Sequence, residues 1–208
     1  NNQEIVAGTF TTLAVPDEPK PTTLVFNNTS GTVWGATLNL TCNANTEVYQ
    51  NGTFLGNINA SGQTTYEISL PLGESTIQFN GGEINFHTYV INSDYMQYLT
   101  SIALGTNYKG VIGDSAFKGT NIASAVVPKG VTAILDNAFA NCANLTSFVF
   151  EGGSKLSRFG KYVFTESANW TNENATGNVQ YNEFNGLKYL GTRGNPYMLC
   201  LGAVDSTI

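Results

Sequence analysis

Leu99-Thr-Ser-Ile-Ala-Leu104, Ile122-Ala-Ser-Ala-Val-Val127 and Leu145-Thr-Ser-Phe-Val-Phe150 align without gaps, each starting 23 positions after the last. A second phrase recurs between them: Ile112-Gly-Asp-Ser-Ala-Phe117, Ile134-Leu-Asp-Asn-Ala-Phe139 and Phe159-Gly-Lys-Tyr-Val-Phe164, at spacings of 22 and 25. A repeat of this length predicts units that each supply one short parallel strand and a return turn. One unit cannot bury its apolar side alone, so the units must stack. Strand alternation then turns Leu99, Ile102 and Leu104 inward with Ile122, Ala125 and Val127 and with Leu145, Phe148 and Phe150. Ser101, Ala103, Ser124, Val126, Ser147 and Val149 project outward from the same strands, and Phe117, Phe139 and Phe164 are expected to stack in a column. Tyr95-Met-Gln-Tyr98, just ahead of the first unit, is expected to be a capping turn.

Upstream, residues 22 to 93 carry no repeat but many short alternating runs. Thr22–Phe26, Thr37–Cys42, Glu47–Gln50, Thr53–Ile58, Thr64–Leu70, Ser75–Phe79 and Glu83–Ile91 predict seven strands. Asn51-Gly52 is a tight-hairpin signal, and Asn80-Gly-Gly82 is another. Strands at this spacing predict a small antiparallel β-sandwich that resembles immunoglobulin-like modules. Val48–Gly56 with Leu70–Ile77 also resembles the surface β-modules called PEGA domains. Residues 1–21 are expected to be an extended tether, because Pro16-Asp-Glu-Pro-Lys-Pro21 favours extended backbone and cannot enter a central strand.

Composition narrows the class. The 208 residues are 41% hydrophobic and 12% charged, with 22 Gly and 25 each of Asn and Thr. Such a chain favours strands and turns over helices. A net charge of −6 gives no basic footprint for nucleic acid. No apolar run approaches the length of a transmembrane helix. The first residues lack the basic and apolar regions of a signal peptide, so any export signal is expected to have been removed or never to have existed. Cys42, Cys142 and Cys200 allow at most one disulfide, and Cys142 is expected to be a buried small filler before the strand at Leu145.

Ile112-Gly-Asp-Ser-Ala-Phe117, Val127-Pro-Lys-Gly-Val-Thr-Ala-Ile134 and Asp136-Asn-Ala-Phe-Ala-Asn-Cys-Ala-Asn-Leu-Thr-Ser147 resemble the BspA-like leucine-rich repeats of bacterial surface proteins. The resemblance covers about residues 97 to 166. It departs at Lys118-Gly-Thr-Asn121, where the family carries Cys, and at Val163, which replaces Ala. Residues 179–203 are similar to a hairpin insertion found between blocks of these repeats. With the antiparallel β-sandwich expected at 22–93, the resemblance implies a mainly β chain whose second part, 94–208, is a short leucine-rich-repeat solenoid with parallel strands. It also implies that a further repeat follows Ile208, so that this chain is a piece of a longer protein.

Motifs of chemistry are sparse. The single histidine, His87, sits in a strand pattern and is expected to be an ordinary strand residue. No nucleophile elbow, zinc motif, C-x-x-C or phosphate loop occurs, and Asp114 and Asp136 recur where turns use polar side chains for backbone hydrogen bonding. No catalytic residue, cofactor or metal ligand is therefore nominated, and the chain is expected not to be an enzyme. The N-x-S/T triplets at Asn27, Asn28, Asn39, Asn51, Asn59, Asn144, Asn169 and Asn174 follow from the Asn and Thr content.

Two functions fit. In the first, which the resemblance implies, the chain is a secreted or cell-surface bacterial adhesion module that binds a protein partner, such as host matrix or another cell, with the outward ladder of Ser101, Ala103, Ser124, Val126, Ser147 and Val149 as the candidate face. In the second, the sandwich binds glycan as an accessory module, with Trp34, Tyr49, Phe54 and Tyr66 as candidate stacking residues.

Overall fold

The computed structural model describes residues 19–43, 45–151, 154–167, 182–190 and 199–203. The expected tether therefore lies outside the described residues except for its last three positions, as do Asn169 and Asn174. Alternation decides the first strand: β1 (Thr22–Asn28) sinks Thr22, Leu24, Phe26 and Asn28 and turns Thr23 and Val25 the other way. β2 (Trp34–Cys42), β3 (Thr46–Gln50), β4 (Thr53–Ile58), β5 (Gly62–Leu70) and β6 (Gly73–Gly81) follow at the expected places. Asn51 and Gly52 have φ of 50° and 78°, the paired left-handed turn that lets β3 fold straight back as β4.

The other two expectations in this half change. Asn80-Gly-Gly82 is not a hairpin: β6 pairs with β1 and β3, whereas β7 (Ile84–Asn85) pairs with β2 in another sheet, so the turn carries the chain across. The strand expected over Glu83–Ile91 is cut to two residues because its peptide groups are divided between two neighbours. Asn39 N donates to Val90 O at 3.0 Å and Asn39 Nδ2 to Tyr89 O at 2.9 Å, while Gly113 N donates to Phe86 O at 2.8 Å. Gly113 passes so close to the His87 backbone that a Cβ there would overlap it, which is why the phrase Ile112-Gly-Asp-Ser needs its glycine.

A 3₁₀ turn at Ser93–Tyr98 leads into β8 (Leu99–Ala103), and here the sequence-based expectation is corrected. The first repeat strand is the terminal member of a five-stranded antiparallel sheet, β4-β3-β6-β1-β8. It pairs Ala103 with Thr23, Ile102 with Leu24 and Ser101 with Val25. Leu99 and Ile102 can extend the apolar layer begun by Leu24 and Phe26, all four being buried, and Thr100 Oγ1 donates to Val25 O at 3.1 Å. A free strand edge gains more from this partner than from none.

The later units stack as the period requires. β10 (Ser124–Val127) and β12 (Ser147–Phe150) form one parallel ladder in register, Ser124 opposite Ser147 and Val126 opposite Val149. β9 (Gly110–Ile112), β11 (Val131–Ile134) and β13 (Arg158–Phe159) form a second parallel ladder. The return turns make a third layer of rungs: Phe117 N donates to Ala138 O at 2.8 Å and Phe139 N to Val163 O at 3.0 Å. Each turn holds two non-extended residues of positive φ, Ser115 and Gly119, Asn137 and Asn141, Tyr162 and Glu166. Downstream, β14 (Asn182–Phe184), β15 (Leu187–Leu190) and β16 (Leu199–Ala203) pair antiparallel, within the stretch expected to hold a hairpin insertion.

Burial follows one continuous path. The buried apolar residues from Leu24 to Val163 form one cluster. Phe117 stacks on Phe139 at 5.2 Å and Phe139 on Phe164 at 6.2 Å, the expected column. The column also runs backward: Phe86 meets Phe117 edge-on at 5.8 Å and Phe79 at 6.1 Å. The chain is thus mainly β, and its two halves share a core.

Candidate functional site

The outward ladder is built by strand alternation alone. Where Leu99, Ile102, Ile122, Ala125, Val127, Leu145 and Phe148 are buried, Ser101, Ala103, Ser124 and Val126 are exposed, and Ser147 and Val149 are half-buried. Leu104 and Phe150, also expected inside, are half-buried. The pairing of β8 with β1 adds two residues that period-based reasoning missed, since Thr23 and Val25 stand opposite Ala103 and Ser101. The outward strip therefore runs from β1 across β8 to β10 and β12. Its side chains are small or β-branched, and Val126 stands 54% exposed on it.

The strip is split at one place. β8 and β10 are pinned at their start, where Asn121 N donates to Leu99 O at 3.0 Å and Asn121 Nδ2 to Gln97 O at 2.6 Å. Beyond that point they belong to different sheets. A cavity of about 230 Å³ opens in the gap, lined by Ile102, Ala103, Leu104, Ser124, Val126 and Pro128, with Lys20 and Glu151 also bordering it. Glu151 is partly engaged, because its Oε2 accepts from Lys129 N at 2.8 Å.

Under the ladder, the turns carry a buried polar column. Thr120, Cys142 and Ser167 occupy equivalent positions and are all buried. Thr120 Oγ1 donates to Phe117 O at 2.9 Å and the Cys142 thiol to the same carbonyl at 3.1 Å. Ser167 Oγ donates to Phe139 O at 2.7 Å and accepts from Cys142 N at 3.0 Å. Any small side chain with a donor can close this turn, which explains how the chain departs from Cys at two of three units. Burial pushes the Cys142 thiol above its ordinary range, and the Cys42 thiol likewise. Both are free, buried thiols, and a protonated buried thiol is inert. Tyr108, missed in the sequence, is fully buried and satisfied: its hydroxyl accepts from Phe86 N at 3.0 Å and donates to Val111 O at 3.2 Å. Burial drives its pKa upward.

The acidic residues that recur in register serve the turns. Asp114 Oδ1 accepts from Ser115 Oγ at 2.7 Å, and Asp136 Oδ1 from Lys161 N at 2.9 Å. His87 lies within 3.2 Å of Thr41 Oγ1 through Nδ1, and desolvation lowers its pKa. Among the described residues, no group of three or more His, Cys, Asp or Glu side chains could hold a metal ion.

The four aromatics nominated for glycan are not brought together. Trp34 is covered by Tyr95 and Tyr98, with ring centroids at 4.6 and 4.4 Å. Tyr66 pairs with buried Leu38 and packs against the core. Tyr49 and Phe54 form an adjacent pair at 5.4 Å on β3 and β4, where Phe54 is 50% exposed. The Tyr49 hydroxyl donates to Glu47 Oε2 at 3.0 Å, and this bond, with burial, raises its pKa.

Comparison with known proteins adds one finding. Residues 91–189 match the model of the BspA type leucine rich repeat region in six copies, which supports a BspA-like leucine-rich-repeat protein. The match extends past the 97–166 stretch read from the sequence at both ends. No curated protein and no solved structure matches the chain.

Proposed function

We propose that this chain is a non-catalytic, surface-exposed bacterial adhesion module that binds a protein partner through the outward strip. In this reading residues 22–93 form a β-sandwich, and the units from 94 onward form a short leucine-rich solenoid whose first strand closes the sandwich. Repeats of the matched type are commonly surface and protein-interaction modules. The observation that carries the reading is the strip itself, in which Thr23, Val25, Ser101, Ala103, Ser124, Val126, Ser147 and Val149 share one side across four strands. Small side chains on a rigid sheet let a partner backbone approach closely, and they lose little conformational entropy on contact.

The test uses the whole chain, because cutting near residue 93 removes the strand that pairs with β1. Biolayer interferometry against a panel of purified extracellular-matrix proteins should yield a saturable binder. Ser124→Arg and Ser147→Arg, both on the strip, should weaken it by about tenfold or more. Binding indifferent to both arginines would exclude the strip.

A second reading, glycan binding, is favoured only by the Tyr49–Phe54 pair, in which Phe54 is exposed and Tyr49 half-buried. A glycan array probed with the whole chain and with Phe54→Ser separates it from the first.

A further inference from the structure

We infer that the cavity between β8 and β10 receives one bulky apolar side chain of an extended polypeptide. This deepens the proposed function and rests on the strip being a binding surface.

Size comes first. The volume of about 230 Å³ falls below the roughly 300–1,000 Å³ of small-molecule sites. It suits a single large side chain presented by something bigger. The walls agree, since Ile102, Leu104, Val126 and Pro128 supply apolar surface, and Val126 stands half in water at the rim. Filling the gap would cover it, as an anchor residue covers the centre of an interface.

Backbone chemistry selects a polypeptide. The carbonyls of Ala123 and Val127 are turned to the β12 side, accepting from Thr146 N and Glu151 N at 2.9 Å each. Strand alternation therefore turns the peptide groups of Ser124 and Val126 toward β8. Among the described residues, β8 does not pair with β10 past the Asn121 pin, so these groups face the opening with no strand partner there. An extended segment can take them in the manner of strand addition.

Charge selects no flank, because Lys20 and Glu151 both border the opening, one of each sign.

The test is an amide-resolved NMR titration of the ¹⁵N-labelled whole chain with acetyl-Gly-Gly-Trp-Gly-Gly-amide. Saturable shifts confined to Ala103, Gly105, Thr106, Ser124 and Val126 are expected. Replacing Trp by Gly in the probe should weaken binding by about tenfold or more. Val126→Arg, which leaves the thermal transition in place, should abolish the shifts. Scattered shifts, equal binding of the Gly probe, or a Val126→Arg variant that still binds would overturn the inference. If the probe fails while Ser147→Arg still disrupts capture of a matrix protein, the cavity claim falls and the adhesion reading stands. If the probe seats and no matrix protein is captured, the cavity claim stands alone.

Discussion

Replacing Phe139 by Ala should cripple the whole chain and not the repeats alone. Phe139 is fully buried and touches three rings, Phe117 at 5.2 Å, Phe148 at 5.1 Å and Phe164 at 6.2 Å. Truncating a buried Phe to Ala costs about 3–5 kcal/mol through lost transfer energy and the residual cavity. Three severed aromatic contacts place this site at the upper end, about 4–5 kcal/mol. With a urea slope of about 2 kcal/mol/M, the midpoint should fall by about 2 M. That is a large share of the roughly 5–15 kcal/mol that holds a typical domain together. The informative probe is Trp34, which stacks on Tyr95 and meets Tyr98 at a tilt, in the half of the chain away from Phe139. In a Trp170→Phe background its fluorescence should report the same lowered midpoint as far-UV circular dichroism. A Trp34 transition unmoved by Phe139→Ala, or an overall loss below about 1 kcal/mol, would refute the claim that the ring column ties the halves into one cooperative unit.

Further expectations concern single sites. Gly113→Ala should cost about 2–3 kcal/mol, since the new Cβ meets the His87 backbone and not a flexible side-chain end; a melting temperature unchanged from the parent would show that the two segments can part freely. Cys142→Ser should keep the bond to Phe117 O, whereas Cys142→Val leaves that buried carbonyl with fewer donors and costs about 1–2 kcal/mol more, as urea titration of the two variants can measure. Cys42 and Cys142 should resist iodoacetamide in the folded chain and react on denaturation, followed by mass spectrometry in a Cys200→Ala background. His87 is the only histidine, and its folded pKa lies below the ordinary 6.5. Its contribution to stability is therefore complete above pH 6.5 and is lost as pH falls through 6.5 toward the folded value. His87→Gln should flatten the urea midpoint over that window, and an identical slope in the variant would remove His87 as its source.

What the sequence made legible was whatever has a short period. Alternation placed β1 to β6, and the 23-residue register placed Ser124 opposite Ser147 before any coordinates. The Phe117–Phe139–Phe164 column followed from the same register. The pairing of Thr23 with Ala103 leaves no local mark, because nothing within either strand names its partner, and so the antiparallel partner of β8 could not be read from the repeat. The interruption of the strand after Asn85 was hidden for a related reason. Its alternation is good, but its peptide groups are claimed from two directions by Asn39 and Gly113. The cavity could not be foreseen either. Lys20 and Glu151 come from outside the periodic strands and meet there only because β8 and β10 diverge.

The bond from Gly105 N to Thr22 Oγ1 spans 83 residues of chain, and this separation orders events during synthesis. Translation proceeds from the N-terminus, so β1 leaves the ribosome long before the segment that finishes its sheet exists. Until residue 105 or so has emerged, a nascent chain carries an unfinished apolar strand edge, the kind of surface that chaperones bind and neighbouring polysomes can trap. Gene fusions or deletions that end the message short of this point should leave insoluble product, however complete the first seven strands look on paper.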